Sequence, residues 1–348
     1  MSSAPPTEIP TIELGVPGDK VKVPRIGFGC MGLSSTYGAS DDGESLKTLN
    51  HALDVGSNFI DSADVYGCGH NERLIAQLLR DRRDDVFLCT KFGSAFTEPP
   101  PGNTDTFHKF LKGVDGTPEY VLQAASDSLR RLNVDKIDLY YQHRVDKNVP
   151  IEETVGAMAE LVKAGKVRYL GLSECSAETL RRAYKVHPIA AVQVEYNCWS
   201  LDIEQNGLLE ACRELGVTVV AYSPLGRGFL TGQIRKFEDL PDTDSRRSHP
   251  RFQPESFHHN IKLVEAFEEM SAKKGCKPGQ LALAWVLAQD PNLIVIPGTK
   301  RIKYLDENVA SGQVHISDAE NKQIRDIINS IPISGDRYPE VHMKKLDN

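Results

Sequence analysis

Eight short apolar runs recur along the chain, and segments of helical periodicity separate them. The runs are Arg25–Gly29, Asn58–Asp61, Val86–Lys91, Ile137–Gln142, Val167–Ser173, Ala191–Tyr196, Val217–Tyr222 and Ile294–Pro297. Each is apolar nearly throughout, as a strand buried on both faces requires. Between them, Ile151, Val155, Met158 and Val162 form one helical stripe, and core packing is enough to explain Met158. Thr117-Pro118-Glu119 supplies an N-cap, a proline at the first helical position and an acid in the first turn. Ser317-Asp318-Ala319-Glu320 is a capping box that opens a late helix running to about Ser330. Strands alternating with helices predict a parallel α/β sheet. A count of eight favours a closed barrel over an open doubly wound sheet, although periodicity alone leaves both open.

Length by itself suggests about two domains, yet barrels of this kind run to about 250 residues or more as one. The 348 residues are read as a flexible tail (1–20), a single domain (21–331) and a C-terminal tail (332–348). Hydrophobic residues make up 40% and charged residues 26%, which is enough for one large core. A net charge of −7 argues against a nucleic-acid or anionic-membrane footprint. No apolar run approaches the roughly 18 residues of a membrane helix. Residues 1–7 lack the basic and apolar segments of a secretory signal. The seven cysteines form no Cys-x-x-Cys pair, which points to reduced thiols, a cytoplasmic setting and no structural zinc. Cys68, two residues past Tyr66, is the thiol most open to oxidation on this reading. His258 and His259 sit in a long loop with no partner at a ligand spacing, so no metal is expected. The long connections are Ser94–Gly116, Ser223–His259 and the stretch after Pro332.

Gly27-Phe28-Gly29-Cys30-Met31-Gly32 matches the Gly-x-Gly-x-x-Gly pattern of a Rossmann dinucleotide site. That site needs a helix to open directly on the glycines, so that a pyrophosphate meets its N-terminus. Here Leu33–Asp41 intervenes before a helix begins near Asp42, and the Rossmann reading is set aside.

Four polar residues carry more chemistry. Asp61, Lys91 and His143 stand at or just beyond the ends of the second, third and fourth runs, and Tyr66 lies five residues past Asp61. Singly, each has an ordinary explanation: a turn aspartate, a rim lysine, a satisfied core histidine. Together, at one end of a barrel, they form a set. A phenol near an ammonium that is itself paired to a carboxylate can donate a proton to a carbonyl oxygen. An imidazole beside it can orient that carbonyl and stabilise developing charge. The ammonium is expected to lower the phenol's pKa from its usual value of about 10.

These stretches, above all Asp61-Ser62-Ala63-Asp64-Val65-Tyr66-Gly67, resemble the aldo-keto reductases, from roughly Val23 to Ser330. The resemblance implies a (β/α)8 TIM barrel with its active site at the C-terminal ends of the strands. It makes Asp61, Tyr66, Lys91 and His143 the catalytic tetrad of an NADPH-dependent reductase of aldehydes or ketones. It assigns cofactor contacts to Gly29, Cys30, Met31 and Asp61, with Ser173 and Gln193 on the carboxamide and Tyr222 stacked on the nicotinamide. Ser223, Leu225, Gly226, Arg227 and Gly228 follow the seventh strand, and Gly298 and Thr299 the eighth, where barrels commonly bind phosphate. Lys300 and Arg301 are expected at the 2′-phosphate of NADP(H), and Glu307 and Asn308 at the adenine. Tyr141-Gln142-His143-Arg144 and Ser223–Gly228 look most like the branch of fungal and plant aldehyde, pyridoxal and alkaloid-carbonyl reductases. The partner is a small carbonyl compound; oligomeric state and substrate are not readable. Trp199 is either a pocket wall or a packing residue. Two other readings are weaker: a cofactor-sensing channel β-subunit, which has the same fold but would ask for an assembly feature beyond the barrel itself, and a metal-dependent barrel hydrolase, which would ask for ligand clusters that the sequence does not show.

Overall fold

The computed structural model describes residues 8–99, 107–344 and 346–347. In chain order its strands are β1 (Thr11–Val16), β2 (Asp19–Pro24), β3 (Phe28–Gly29), β4 (Phe59–Asp61), β5 (Phe87–Phe92), β6 (Ser94–Phe96), β7 (Leu111–Val114), β8 (Ile137–Gln142), β9 (Val167–Ser173), β10 (Ala191–Glu195), β11 (Thr218–Tyr222) and β12 (Leu293–Val295). One sheet holds β3-β4-β5-β8-β9-β10-β11-β12 in that order, with every neighbouring pair parallel. Its two ends meet. The Gly27 amide donates to the Val295 carbonyl and the Val295 amide to the Arg25 carbonyl, both at 2.9 Å. The sheet thus closes into a (β/α)8 barrel, which removes its exposed edges. The expected strands are present, Ile137–Gln142 and Val167–Ser173 with the expected bounds and the others with ends shifted by at most three residues.

Local signals explain the helices that pack outside. Thr117 accepts from the Tyr120 amide at the start of Pro118–Leu132. Ser317 and Glu320 form a reciprocal capping box on Asp318–Ser330. Ile151, Val155 and Met158 turn inward from Ile151–Lys163 and are buried. Among the described residues, no helix is long and apolar enough to cross a membrane.

Four stretches read as loop or tail hold more structure. Within 1–20, residues 11–16 form β1, which pairs antiparallel with β2; residues 1–7 lie outside the described residues. Leu14 and Val23 are buried against Phe59, Phe87, Tyr169 and Ile294, so the hairpin plugs the N-terminal end of the barrel. The signal was the alternation Ile12, Leu14, Val16 and Val21, Val23 about Pro17-Gly18. Within Ser94–Gly116, β6 and β7 form a second hairpin; residues 100–106 lie outside the described residues. The long connection after β11 ends at Gln253, because helix Pro254–Lys274 takes in His258 and His259. Beyond Pro332, Arg337 and Leu346 are buried.

Candidate active site

The four polar residues converge at the C-terminal end of the barrel, the end opposite the hairpin. Parallel pairing sets Asp61 beside Cys89, and Lys91 beside Tyr141. Lys91 Nζ donates to Asp61 Oδ1 at 2.5 Å and to the Ser62 carbonyl at 2.6 Å. It lies 3.4 Å from the Tyr66 hydroxyl. The Asp61 and Lys91 side chains are 3% and 0% exposed, so neither charge has water to fall back on. The His143 ring meets the Tyr66 ring edge-on, with centroids 5.9 Å apart. A second network braces the Tyr66 loop: Ser62 donates to Asn71, and Asn71 donates to the Cys30 carbonyl and to Ser34.

Electrostatics assigns the protons. Burial opposes the charge on Lys91, but Asp61 and then Tyr66 outweigh it and hold the ammonium's pKa above its ordinary value. Burial also pushes the Asp61 carboxyl upward, against the pull of Lys91. These two directions conflict about the pair, and the contacts resolve it. Both Asp61 oxygens accept hydrogen bonds, Oδ1 from Lys91 and Oδ2 from Gln193 at 2.8 Å, so Asp61 is the anion of an ion pair. Tyr66 corrects the expectation from sequence. Burial raises its pKa, and the lowering by Lys91 only partly offsets that. The phenol therefore keeps its proton at neutral pH. Burial, then Arg144 and Lys91, hold His143 well below its ordinary value, so the imidazole is neutral.

The residues expected to hold a cofactor divide into those that face the site and those that the fold uses elsewhere. Ser173 is buried at the end of β9, and its hydroxyl has no partner among the described residues. Tyr222 ends β11 half-buried. Backbone with positive φ runs through Ser223 (49°), Gly226 (56°), Arg227 (58°) and Gly228 (90°), a folded turn in which the Gly226 and Gly228 amides donate to the Ser223 and Leu225 carbonyls at 2.9 and 3.0 Å. Arg301 is exposed at the N-cap of helix Ile302–Ala310. An orphaned hydroxyl, a ring, a curled backbone and a guanidinium at a helix start fit a dinucleotide. Met31 is half-buried beside this end, while the Cys30 side chain is fully buried, leaving only backbone for contact. Asn308 is buried and Glu307 half-buried on the same helix. The Leu225 and Thr299 side chains are partly open on the two loops.

Four expectations shift. Lys300 Nζ donates to the carbonyls of Tyr37, Gly38 and Ala39 at 2.8–2.9 Å, which occupies all three of its protons. It clamps a loop instead of standing ready for a phosphate. Arg227 is buried, paired with Glu195 at 2.9 Å and bonded to the Arg337 carbonyl. Gly29 and Gly298 are small because they pack on backbone: a Cβ on Gly29 would meet the Ile296 oxygen at 2.6 Å, and one on Gly298 the Gly29 oxygen at 2.5 Å. Gln193 braces Asp61 as well as facing the site. Trp199 resolves to packing. It stacks on Phe229 at 4.7 Å, and a Cβ on Gly226 would lie 2.8 Å from its ring. Cys68 is buried and its thiol is pushed up to about 11, mainly by burial, which disfavours the reactive thiolate.

Sequence reasoning missed the acidic groups at the mouth. Glu174 accepts from the Tyr222 hydroxyl, and Glu195 from Arg227. Burial works against the Glu195 charge, but Arg227, Arg337 and Arg251 hold its pKa below the ordinary value. Only the Ser173-Glu174 strand exit marked this place in sequence, and it names no partner.

Residues 25–329 match the model of the Aldo/keto reductase family. The chain is 46% identical over 335 residues to a Schizosaccharomyces pombe protein named aldo-keto reductase yakc [NADP(+)], with 95% of each chain covered. It is 46% identical to an aldo-keto reductase of Strobilurus tenacellus, with 98% of each covered. Among solved structures, a glycerol dehydrogenase of Gluconobacter oxydans superposes with a TM-score of 0.80 at 29% identity, covering 93% of this chain and 97% of that one. An aldo/keto reductase of Klebsiella pneumoniae, in complex with NADP and acetate, superposes with a TM-score of 0.70 at 26% identity, covering 94% and 99%. A closed barrel, a buried Asp61–Lys91 pair against Tyr66, and near full-length relatives agree: the chain belongs to the aldo/keto reductase family of oxidoreductases.

Proposed function

We propose that this protein reduces an aldehyde or ketone to an alcohol with NADPH, and that Tyr66 is the proton donor. The observation that carries the reading is Lys91 Nζ held at 2.5 Å from Asp61 while lying 3.4 Å from the hydroxyl of a half-buried, protonated Tyr66. NADPH supplies the hydride. Tyr66 delivers its phenolic proton to the carbonyl oxygen as charge develops there. Lys91 favours the phenolate left behind, and Asp61, itself fixed by Gln193, keeps Lys91 aimed. Neutral His143 stands beside Tyr66 to hydrogen-bond the same oxygen.

Ser173, whose hydroxyl has no partner among the described residues, and Gln193 beside it suit a carboxamide. Tyr222 offers a ring face. The 223–228 backbone suits a pyrophosphate, and Arg301 suits a 2′-phosphate, which favours NADP(H) over NAD(H). The name of the fission-yeast relative and the NADP bound to the Klebsiella structure support that choice. Seven thiols without a disulfide suit a reducing cytoplasm. A screen of NADPH consumption over aliphatic, aromatic and sugar aldehydes, pyridoxal and quinones tests the reading. Turnover of at least one carbonyl compound with NADPH is expected. NADPH binding without turnover of any of them contradicts it.

A further inference from the structure

At the barrel mouth, groups with no part in the proton transfer form one connected network. Its hub is Glu174, which follows Ser173 and holds φ at 50°, a strained value for a residue with a side chain. Glu174 Oε1 accepts from the Tyr222 hydroxyl at 2.7 Å and from the Glu195 amide at 2.9 Å. Its Oε2 accepts from Arg337 Nη2 at 2.9 Å, and the two side chains are 2% and 5% exposed. Tyr338 follows, its hydroxyl 2.9 Å from that of Tyr222 and its ring 4.4 Å from the Arg227 guanidinium. Arg227 donates to the Arg337 carbonyl at 3.1 Å.

The same segment is tied at both ends. Ser334 exchanges two hydrogen bonds with the Asn260 side chain, and Arg251 donates to the Gly335 carbonyl. Farther on, Lys147 donates to the Lys344 carbonyl, and the Asp347 carboxylate accepts from the Ser176 amide and the Thr179 hydroxyl.

Terminal segments usually fray unless something ties them down. A buried ion pair adds little net stability, but it selects one arrangement, since breaking it strands a charge. Here the selected arrangement joins the C-terminal segment to Tyr222 through the Glu174 carboxylate and, directly, through the Tyr338 hydroxyl. We propose that Ser334–Lys344 is a strap over the nicotinamide end of the site, that Glu174 is the positioning residue that couples its docking to the orientation of Tyr222, and that the strap must lift for the cofactor to exchange. The proposal rests on the reading above, in which Tyr222 faces the nicotinamide. Because the strap and the cofactor act on one hub, each tightens the hold of the other.

The test combines hydrogen exchange with stopped-flow release of NADPH. In the unaltered protein, NADPH should slow amide exchange across 334–344. Arg337→Met should speed NADPH release by about tenfold, within the usual span of coupling between two sites. Tyr338→Phe, which removes only the hydroxyl against Tyr222, should speed it in the same direction by a smaller factor. In both variants the hydride step in a single turnover should change less than release does, whereas general damage would slow both. Should Arg337→Met fail to fold, Tyr338→Phe and exchange in the unaltered protein still decide. NADPH binding that leaves exchange in 334–344 unchanged, or release at the native rate in the folded variants, overturns the proposal alone. An unaltered protein that binds no NADPH overturns the underlying functional reading and the strap with it.

Discussion

Tyr66 is pulled in two directions by its surroundings. Burial raises the phenol's pKa and Lys91 lowers it, and burial prevails. Lys91→Met keeps the length of the side chain and removes the opposing charge, so the phenol should rise further. Oxidation of an alcohol needs the phenolate, and its rate climbs as pH passes the phenol's pKa. The variant should therefore show that rising limb at higher pH than the native protein. An unchanged limb in a pH profile of alcohol oxidation would mean that Lys91 serves only the fold. His143 leads to a second expectation. Its pKa is held well below 6.5, so it stays neutral from about pH 6 to 8 and imposes no acid limb on reduction in that window. A fall in single-turnover rate centred near pH 6.5, absent in His143→Gln, would contradict this. That these four side chains would meet was legible because Asp61 and Tyr66 lie close in sequence and Lys91 and His143 mark strand exits. The direction of the Tyr66 shift was not, since it depends on how many neighbours exclude water, and no local spacing records that.

At the scale of elements, the loop after β12 shows where sequence misleads. Lys300 and Arg301 are adjacent cations at a helix entry, and they looked equivalent. Backbone direction separates them, spending the first on the carbonyls of residues 37–39 and leaving the second exposed. Arg301→Ala should weaken NADPH binding by about 1.5–3 kcal/mol, the worth of a charged hydrogen bond, and leave NADH binding nearly unchanged. Lys300→Ala should weaken both alike, because it releases a loop instead of a phosphate contact. Titrations of the two variants with both cofactors compare these outcomes, and the reverse pattern would reverse the assignment. Strand exits and helix caps were readable from a few residues at a time. The 37–39 clamp was not, because its partners lie about 260 residues apart in the chain.

For the whole molecule, the barrel has one end for stability and one for chemistry. The β1–β2 hairpin fills the first with Leu14 and Val23, at the end opposite Asp61, Tyr66, Lys91 and His143. Leu14→Ala should cost about 2–5 kcal/mol in denaturant unfolding, as a cavity in a packed core does. Turnover should persist wherever the variant stays folded; lost turnover in a folded variant would place the hairpin in the site. Eight alternating units made the barrel legible, because each strand announces itself by being apolar throughout. The two chain ends were read as tails because their structure depends on distant partners: Glu174 and Arg337 meet across 163 residues. The central claim joins both ends of this account, since it needs the barrel to bring four residues together and Tyr66 to yield its proton there. Tyr66→Phe removes one oxygen and keeps the ring. With NADPH prebound and the best carbonyl substrate mixed in, single-turnover reduction should fall by about 10²–10⁴, the usual worth of positioned acid catalysis, while NADPH affinity stays within a few-fold. Reduction by Tyr66→Phe at a near-native rate would contradict the account.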